Sequence, residues 1–311
     1  MNLKVNDTMV LDGGRILGSG PRFGSVLAYV DGGPGSEAVI QTAARIGQVH
    51  SCYVEVLHVA QAVDTSLLAL DAGSGMAASA EIFRIMQDDA RKRETAARTA
   101  FEEFCNNADV VTVDPDSRET LANEGFTIAW NLVSGTAGRD LAHRGRLFDL
   151  IIMARASDQI GGIDSIQLES ALFDSGRPVL VTAGGAVESE PGAVVIAWDG
   201  SREAAHSVAL AMPLLSNASK VYVMSVGERD PGMEIEDLSR YLARHGITAE
   251  LCHLSKSDKS VAHVLVDASF NKNVHLLVMG AYGHSAIGES LFGGVTRDML
   301  EAGKIPLLLA H

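Results

Sequence analysis

The chain has 311 residues, of which 47% are hydrophobic, and its formal net charge is -14. This length and apolar content suit two globular domains, each with its own core, and exclude a disordered chain. The negative charge disfavours nonspecific binding to nucleic acid or to an anionic membrane, because both need basic surfaces. The longest apolar runs are far shorter than the ~18 residues of a membrane span. Three separated cysteines form neither a metal pair nor a disulfide framework, so we expect a cytoplasmic protein.

The first half of the chain alternates strand and helix patterns. Residues 1–22 precede the first apolar run, so we interpret them as an N-terminal extension. A strand ending at Asp31 is followed by an amphipathic helix, with Ser36 as its N-cap and Gly47 as its end. A long amphipathic helix is predicted around residues 80–105 and a short one in GTAGRDLAHRGRLF. The predicted strands are SVLAYVDGG, CYVEVLHVA, FTIAWNLV, DLIIMARA and GRPVLVTA.

After a linker at residues 184–192, the same pattern begins again. The segment AVVIAWDGSREAAHSVALAMPLL mirrors SVLAYVDGGPGSEAVIQTAARI, which places Asp199 opposite Asp31. Strands that alternate with helices form parallel sheets with helices on both faces. The sequence therefore predicts an α/β protein with two tandem, open, parallel five-stranded sheets, in domains at residues 23–186 and 193–311.

The last forty residues contain a glycine-rich loop between a buried strand and a helix. Glycines at this point allow the backbone to turn sharply and to approach a ligand closely. The first amides of the following helix have no intrahelical partner and lie at the positive end of its dipole, which favours an anion. The sequence therefore predicts a phosphate site, with Thr296 as a hydroxyl donor. The loop has the spacing G-x2-G-x9-G-G, from Gly280, Gly283, Gly293 and Gly294.

This spacing resembles the nucleotide-binding signature of the universal stress protein family, G-x2-G-x9-G-[Ser/Thr]. The resemblance includes the strand LLVMG before the loop and IPLLLAH after it, but Gly294 replaces the family's hydroxyl residue. It implies a Rossmann-like fold, similar to the adenine nucleotide alpha hydrolases, and binding of ATP, with AMP, ADP and a bound Mg²⁺ left open. The implied ligand-contacting residues are Ala197, Trp198, Asp199, Val226, Met279, Gly280, Tyr282, Gly283, Gly293, Gly294, Val295 and Thr296.

The first copy differs from the second in length and in its loop. Asp31 to Ala154 spans 123 residues and Asp199 to Gly280 spans 81, so the first copy carries 42 more, mostly in the long helix. Branched and larger side chains are poorly suited to a loop that must approach a ligand. We therefore expect nucleotide in the C-terminal copy only. Ala154, Ser157, Ser165 and Ile166 stand where the second copy has its four glycines.

Three other interpretations of these motifs remain open. Asp199 is equally consistent with a turn in which the carboxylate only caps nearby amides. The protein could instead be an interaction scaffold that binds no nucleotide and uses the long helix as its docking surface. A hydrolase using Ser285 is disfavoured, because GHSAIG is not the G-x-S-x-G motif. No phosphate-binding lysine motif is present, so we predict at most slow ATP hydrolysis and no catalytic or metal-binding residues.

Two strands, PVLVTA and PLLLAH, open with proline, which suits the edge of a sheet. Exposed apolar edges associate, so we expect these strands to pair with each other or with a second chain. Members of the resembled family often dimerise through this edge, which implies an intrachain pseudo-dimer here, with a homodimer as the alternative. The predicted function is a stress-response protein that acts as a nucleotide-dependent regulator.

Overall fold

The structure is a computed structural model that describes residues 20–61, 76–116, 125–155, 163–183, 192–227, 234–256, 258–281, 294–303 and 305–311. Within these ranges, strands and helices alternate along the chain. The first half contains β1 (Ser25–Tyr29), α1 (Ser36–His50), β2 (Tyr53–Gln61), α2 (Met76–Asn107), β3 (Val111–Thr112), β4 (Thr127–Gly135), α3 (Ala137–Gly145), β5 (Leu150–Ala154), α4 (Ile163–Ser175) and β6 (Val179–Thr182).

The second half repeats this alternation with shorter connections. It contains β7 (Ala193–Ala197), α5 (Arg202–Asn217), β8 (Lys220–Val226), α6 (Ile235–Arg244), β9 (Ala249–Leu254), α7 (Val261–Phe270), β10 (Val274–Gly280), α8 (Gly294–Ala302) and β11 (Leu307–Ala310). No helix in the described ranges is long and apolar enough to cross a lipid bilayer.

All described strands belong to one sheet, in the order β3-β4-β2-β1-β5-β6-β11-β10-β7-β8-β9. Neighbouring strands are parallel except β6 and β11, which are antiparallel, with Leu180 paired to Leu308 at the centre. The predicted α/β class is confirmed, and the two parallel half-sheets meet edge to edge. The two proline-led strands pair with each other, which was one of the two expected outcomes. Both are therefore interior strands, and Pro178 and Pro306 lie one residue outside their ladder.

Two apolar cores lie on the two faces of this sheet, and each of them extends through both halves. Residues of α1, α2, α5 and α6 pack on one face, and residues of α3, α4, α7 and α8 pack on the other. Leu180 and Leu308 belong to the first core, while their strand neighbours belong to the second. Because both faces are covered, the central strands are continuous apolar runs, and this explains why the sequence identified them.

A buried carboxylate joins three elements of the first half. Glu55 on β2 is fully buried, and Arg144 of α3 donates from Nε and Nη2 to its two oxygens, at 2.7 Å each. Asn131 donates to the same carboxylate at 2.8 Å, and the Tyr53 hydroxyl donates at 2.9 Å. Burial and the neighbouring Glu55 raise the pKa of Tyr53, so its hydroxyl keeps its proton. The carboxylate of Glu55 is therefore buried and fully supplied with donors.

Arg155 connects the two halves. It follows β5 and donates from Nη1 to the carbonyls of Met299, at 3.1 Å, and Leu300, and from Nη2 to the carbonyl of Ile305, at 3.0 Å. The last carbonyls of a helix lack intrahelical partners, and a cation there also favours the helix dipole. Burial lowers the pKa of Arg155 to about 10, so it remains charged at neutral pH. A first-half side chain thus caps α8 of the second half.

Replacing Arg144 with Met should destabilise the fold, because a fully buried carboxylate then loses its bidentate partner. We expect the free energy of unfolding to fall by about 3–5 kcal/mol, measured by urea denaturation. The matched control is Arg84→Met, which removes an exposed ion pair with Glu81 and should cost less than about 1 kcal/mol. Similar losses in both variants would contradict the buried network.

Replacing Arg155 with Met should loosen α8, because three carbonyls lose their donor. We expect the free energy of unfolding to fall by about 2–3 kcal/mol. Amide hydrogen exchange should become faster in α8 before it does in β10. Arg155→Lys keeps the charge but not the fork of donors, so it should restore only part of the protection. Unchanged exchange in α8 of the Met variant would show that this cap contributes nothing.

Candidate functional site

The carboxyl ends of β7, β8 and β10 form the candidate site. β7 lies between β10 and β8, and the chain reverses its winding direction there, which is the switch point at which open α/β sheets bind ligands. Ile196 pairs with Val278, and Ala197 pairs with Met224. Both neighbours continue beyond β7, to Gly280 on β10 and to Val226 on β8.

The predicted strand-end residues lie on two different faces of the sheet. Ala197, Val226 and Met279 pack against the core under α7 and α8. Trp198 packs against the core under α5 and α6, in the place that Val30 takes in the first half. Within the described part of the chain, the indole Nε1 of Trp198 is buried and has no hydrogen-bond partner. Trp198 is therefore separated from the other three.

Asp199 closes the turn between β7 and α5. Its Oδ1 accepts a hydrogen bond from the amide of Ser201 at 3.0 Å, across Gly200, whose φ is 74°. Ser201 in turn caps α5, since its Oγ accepts from the amide of Ala204 at 3.1 Å. The same turn occurs in the first half, where Oδ1 of Asp31 accepts from Gly33 at 2.8 Å. The capping role is therefore present in both halves, and the side chain of Asp199 is exposed.

Gly280 allows β10 to pack against the start of α5. A Cβ at this position would lie 2.5 Å from the amide nitrogen of Ala204 and 2.6 Å from the carbonyl carbon of Glu203. In the first half the arrangement is reversed: Ala154 carries the Cβ, and the glycine is Gly35, at the position equivalent to Glu203. A Cβ on Gly35 would be 2.5 Å from the Cβ of Ala154. In each half, a glycine on one element makes room for the Cβ on the other. The presence of Ala154 alone therefore does not indicate a lost ligand contact.

The N-terminus of α8 provides the exposed backbone of the site. Gly294 is the first residue of α8, it is exposed, and no described atom lies within 4 Å of a Cβ built there. Val295 is 38% exposed, whereas Thr296 is only 3% exposed and shares its helix face with the core residue Met299. Gly294, and not Thr296, is therefore the position with room for a hydroxyl group. Tyr282, Gly283 and Gly293 lie outside the described residues, as do Ser157 and Ser285.

Sequence reasoning did not identify Glu203, which lies beside Gly280 in the first turn of α5. Glu203 is 7% exposed, and its Oε1 accepts a hydrogen bond from Nη2 of Arg202 at 2.8 Å. A hydrogen bond from its own backbone amide, together with Arg202, lowers the pKa of Glu203. This carboxylate already occupies the N-terminus of α5, where the helix dipole favours it. An anionic ligand near Gly280 would therefore meet the negative charge of Glu203 at the N-terminus of α5.

The long helix covers the equivalent turn in the first half. A Cβ on Gly32 would lie 2.0 Å from the carbonyl oxygen of Arg93 on α2, and Nη1 of Arg93 is 3.7 Å from Oδ2 of Asp31. The backbone of α2 therefore lies directly against the β1–α1 turn, and a cation offsets the charge of Asp31. The sequence located this helix and its extra length but gave no indication that it packs over the turn.

No protein-family model and no curated protein matched the sequence. Solved structures do match. A universal stress protein from Archaeoglobus fulgidus aligns over 92% of this chain and 95% of its own, with a TM-score of 0.60 and 15% identity. A putative universal stress protein from Pseudomonas aeruginosa aligns over 93% of each chain, with a TM-score of 0.54 and 15% identity.

A third structure, of a functionally unknown protein from Pseudomonas aeruginosa, aligns over 93% of this chain and 92% of its own, with a TM-score of 0.54 and 14% identity. At this identity the likeness concerns the path of the backbone and not individual side chains. All three alignments include both halves of the chain and the sheet that joins them. The chain has the fold of the universal stress proteins over nearly its whole length.

Proposed function

We propose that the protein is a cytoplasmic stress-response regulator that binds an adenine nucleotide, with ATP as the first candidate, in its second half. The base and ribose would lie at the ends of β7 and β8, near Asp199 and Val226, and the phosphates at the N-terminus of α8. Two observations carry this proposal: Asp199 is exposed directly after β7 at the switch point, and Gly294 is exposed at the start of the helix that follows β10. The glycine spacing of the intervening loop supports it.

The two halves would have different roles in this proposal. In the first half, α2 lies over the turn at Asp31, so the space beside this carboxylate is filled by protein. The first half would then act as the packing partner of an intrachain pseudo-dimer, with domains at residues 23–186 and 193–311. A homodimer of the whole chain is compatible with this arrangement.

The described residues fit a triphosphate through backbone groups and not through cations. Gly294 leaves the helix amides accessible, whereas Arg297 is paired with Glu301 at 3.0 Å on the same helix. With Glu203 nearby and a net charge of -14, the phosphates would bind more favourably with Mg²⁺, which neutralises part of their charge. The sequence offers no lysine for phosphoryl transfer, so we propose a receptor with at most slow hydrolysis.

A second candidate function is an interaction scaffold that uses α2. The predicted apolar stripe of this helix divides in two: Ala97 and Phe101 are buried, whereas Ile82, Ile85 and Met86 are 59%, 58% and 51% exposed. These three residues follow helical spacing and therefore form one face. Their exposure is the specific observation that favours the scaffold over a nucleotide receptor.

Calorimetric titration with Mg·ATP should separate the two functions. Gly294→Ser adds the missing hydroxyl where no described atom lies within 4 Å of a Cβ, and one hydrogen bond of about 0.5–1.5 kcal/mol should tighten binding roughly 2- to 13-fold. Gly283→Val should abolish binding, because a branched side chain prevents close approach of the loop. Gly20→Ser is the matched control, since a Cβ there also meets no described atom, and it should not change the affinity. Absence of heat from both wild type and Gly294→Ser would favour the scaffold.

Asp199→Asn should separate ligand binding from turn formation. Asparagine keeps an acceptor for the Ser201 amide, so the melting temperature should change little. Loss of a charge-assisted hydrogen bond to the nucleotide should weaken ATP binding by about tenfold. Asp31→Asn in the covered first-half turn should leave the ATP affinity unchanged. Equal effects of the two substitutions would contradict the assignment of the nucleotide to the second half.

A further inference from the structure

A groove between the two halves contains a cavity of about 180 Å³, at the opposite end of β7 and β10 from the candidate nucleotide site. Its walls come from α1 in the first half, from the end of α5 in the second, and from the amino ends of β7, β10 and β11. The walls are largely apolar, with Ile46, Val49, Leu180, Leu214 and Leu276 among the contributors. Because both halves supply the lining, the cavity exists only where they are packed together.

Two buried polar side chains in this lining lack partners. Thr42 is 1% exposed and His50 is 3% exposed, and both line the cavity. Among the described residues, neither Oγ1 of Thr42 nor Nδ1 of His50 has a hydrogen-bond partner. Buried polar groups in folded proteins are nearly always hydrogen-bonded, so these two atoms are exceptions. Each atom is itself shielded from solvent, so it lies within the wall of the groove and not on its surface.

The charge of the lining is positive. Arg45 of α1 lines the cavity and is half-buried, and no carboxylate in the described ranges forms an ion pair with it. Burial, with the nearby charge of Arg22, lowers the pKa of His50 to about 4, so this imidazole is neutral at neutral pH and can donate one hydrogen bond. A single guanidinium beside apolar walls suits one carboxylate better than a polyanion.

We propose that this groove is a second ligand site, which binds a small monocarboxylic acid with an apolar body. The size of the cavity restricts that body: a dry cavity of about 150 Å³ accommodates benzene, so this one accepts a single ring or a short branched chain. The carboxylate pairs with Arg45, while the ring contacts the aliphatic walls. A nucleotide is too large and too highly charged for this site.

The test uses the full-length protein and three probes of similar shape, namely benzoate, benzyl alcohol and benzylamine, in ligand-observed NMR titrations. Benzoate should saturate at millimolar concentration or below, benzyl alcohol should bind about tenfold more weakly, and benzylamine should not bind. Equal affinity for all three probes, or no saturation with benzoate, would overturn the proposal.

Variants assign the binding to this groove. Arg45→Met should reduce benzoate affinity about tenfold while leaving benzyl alcohol unaffected, whereas Arg240→Met, on α6, should change neither. Thr42→Val should raise the melting temperature, since it removes a buried hydroxyl that has no partner among the described residues. Ala218→Phe, at the end of α5, should fill the groove and abolish binding of both probes. Wild-type binding by the Arg45 or Ala218 variant would refute the site.

This proposal is independent of the nucleotide. The groove uses the amino ends of β7 and β10, so Gly283→Val should leave benzoate binding unchanged. Benzoate binding that persists in a protein without ATP binding would support the groove and not the nucleotide site. Benzoate binding that disappears with Gly283→Val would count against the groove as a separate site.

Discussion

The antiparallel pairing of β6 with β11 determines the architecture of this protein. Each strand closes one parallel half-sheet, and each would otherwise expose an apolar edge. Pairing them within one chain converts two edges into the centre of a continuous sheet and lets both apolar cores extend through both halves. Leu180 and Leu308, at the middle of the pair, are 3% and 0% exposed. The tandem repeat is therefore one packed unit, and features of either half depend on the other.

Arg155 and the groove show how far this dependence extends. Arg155 leaves the end of β5 and caps the last turn of α8, which belongs to the other half. The groove likewise takes its cation and its unpartnered donors from α1 and much of its apolar wall from the second half. Neither feature has a counterpart in a single copy of the repeat.

The sequence predicted the interior of the fold much better than its edges. Buried parallel strands are continuous apolar runs, so β1, β2, β5, β6 and their counterparts β7, β8, β10 and β11 were recognisable. β3 has only two residues, and β9 alternates partly exposed side chains at the outer edge of the sheet, so neither gives such a run. The second-half helices α6 and α7, of ten residues each, were not located from the sequence.

Residues of the candidate site were named from the sequence, but the packing around them was not foreseen. Glycine after a strand suggested close approach to a ligand, yet Gly280 is required by the first turn of α5, and Gly35 meets the same need opposite Ala154. A sequence alone cannot distinguish a glycine needed for approach to a ligand from a glycine needed for helix packing, because both requirements exclude a Cβ. Thr296 was predicted as a donor but lies on the buried face of α8. Its orientation depends on the residue at which the helix begins, and the sequence did not define that residue. Arg155 and Glu203 were missed, since their partners are distant in sequence or become adjacent only through packing.

The asymmetry between the halves follows from the inserted helix more than from the glycine substitutions. α2 contacts Gly32 and pairs Arg93 with Asp31, so the first-half turn is covered whatever residues form its loop. In the second half, Asp199 in the equivalent turn is exposed, and Arg155 of the first half caps the C-terminal end of α8. An anion at the N-terminus of α8 and the guanidinium of Arg155 at its C-terminus both favour the same helix dipole. Under the proposed function, a ligand that stabilises α8 would by reciprocity also stabilise its contact with Arg155 of the first half.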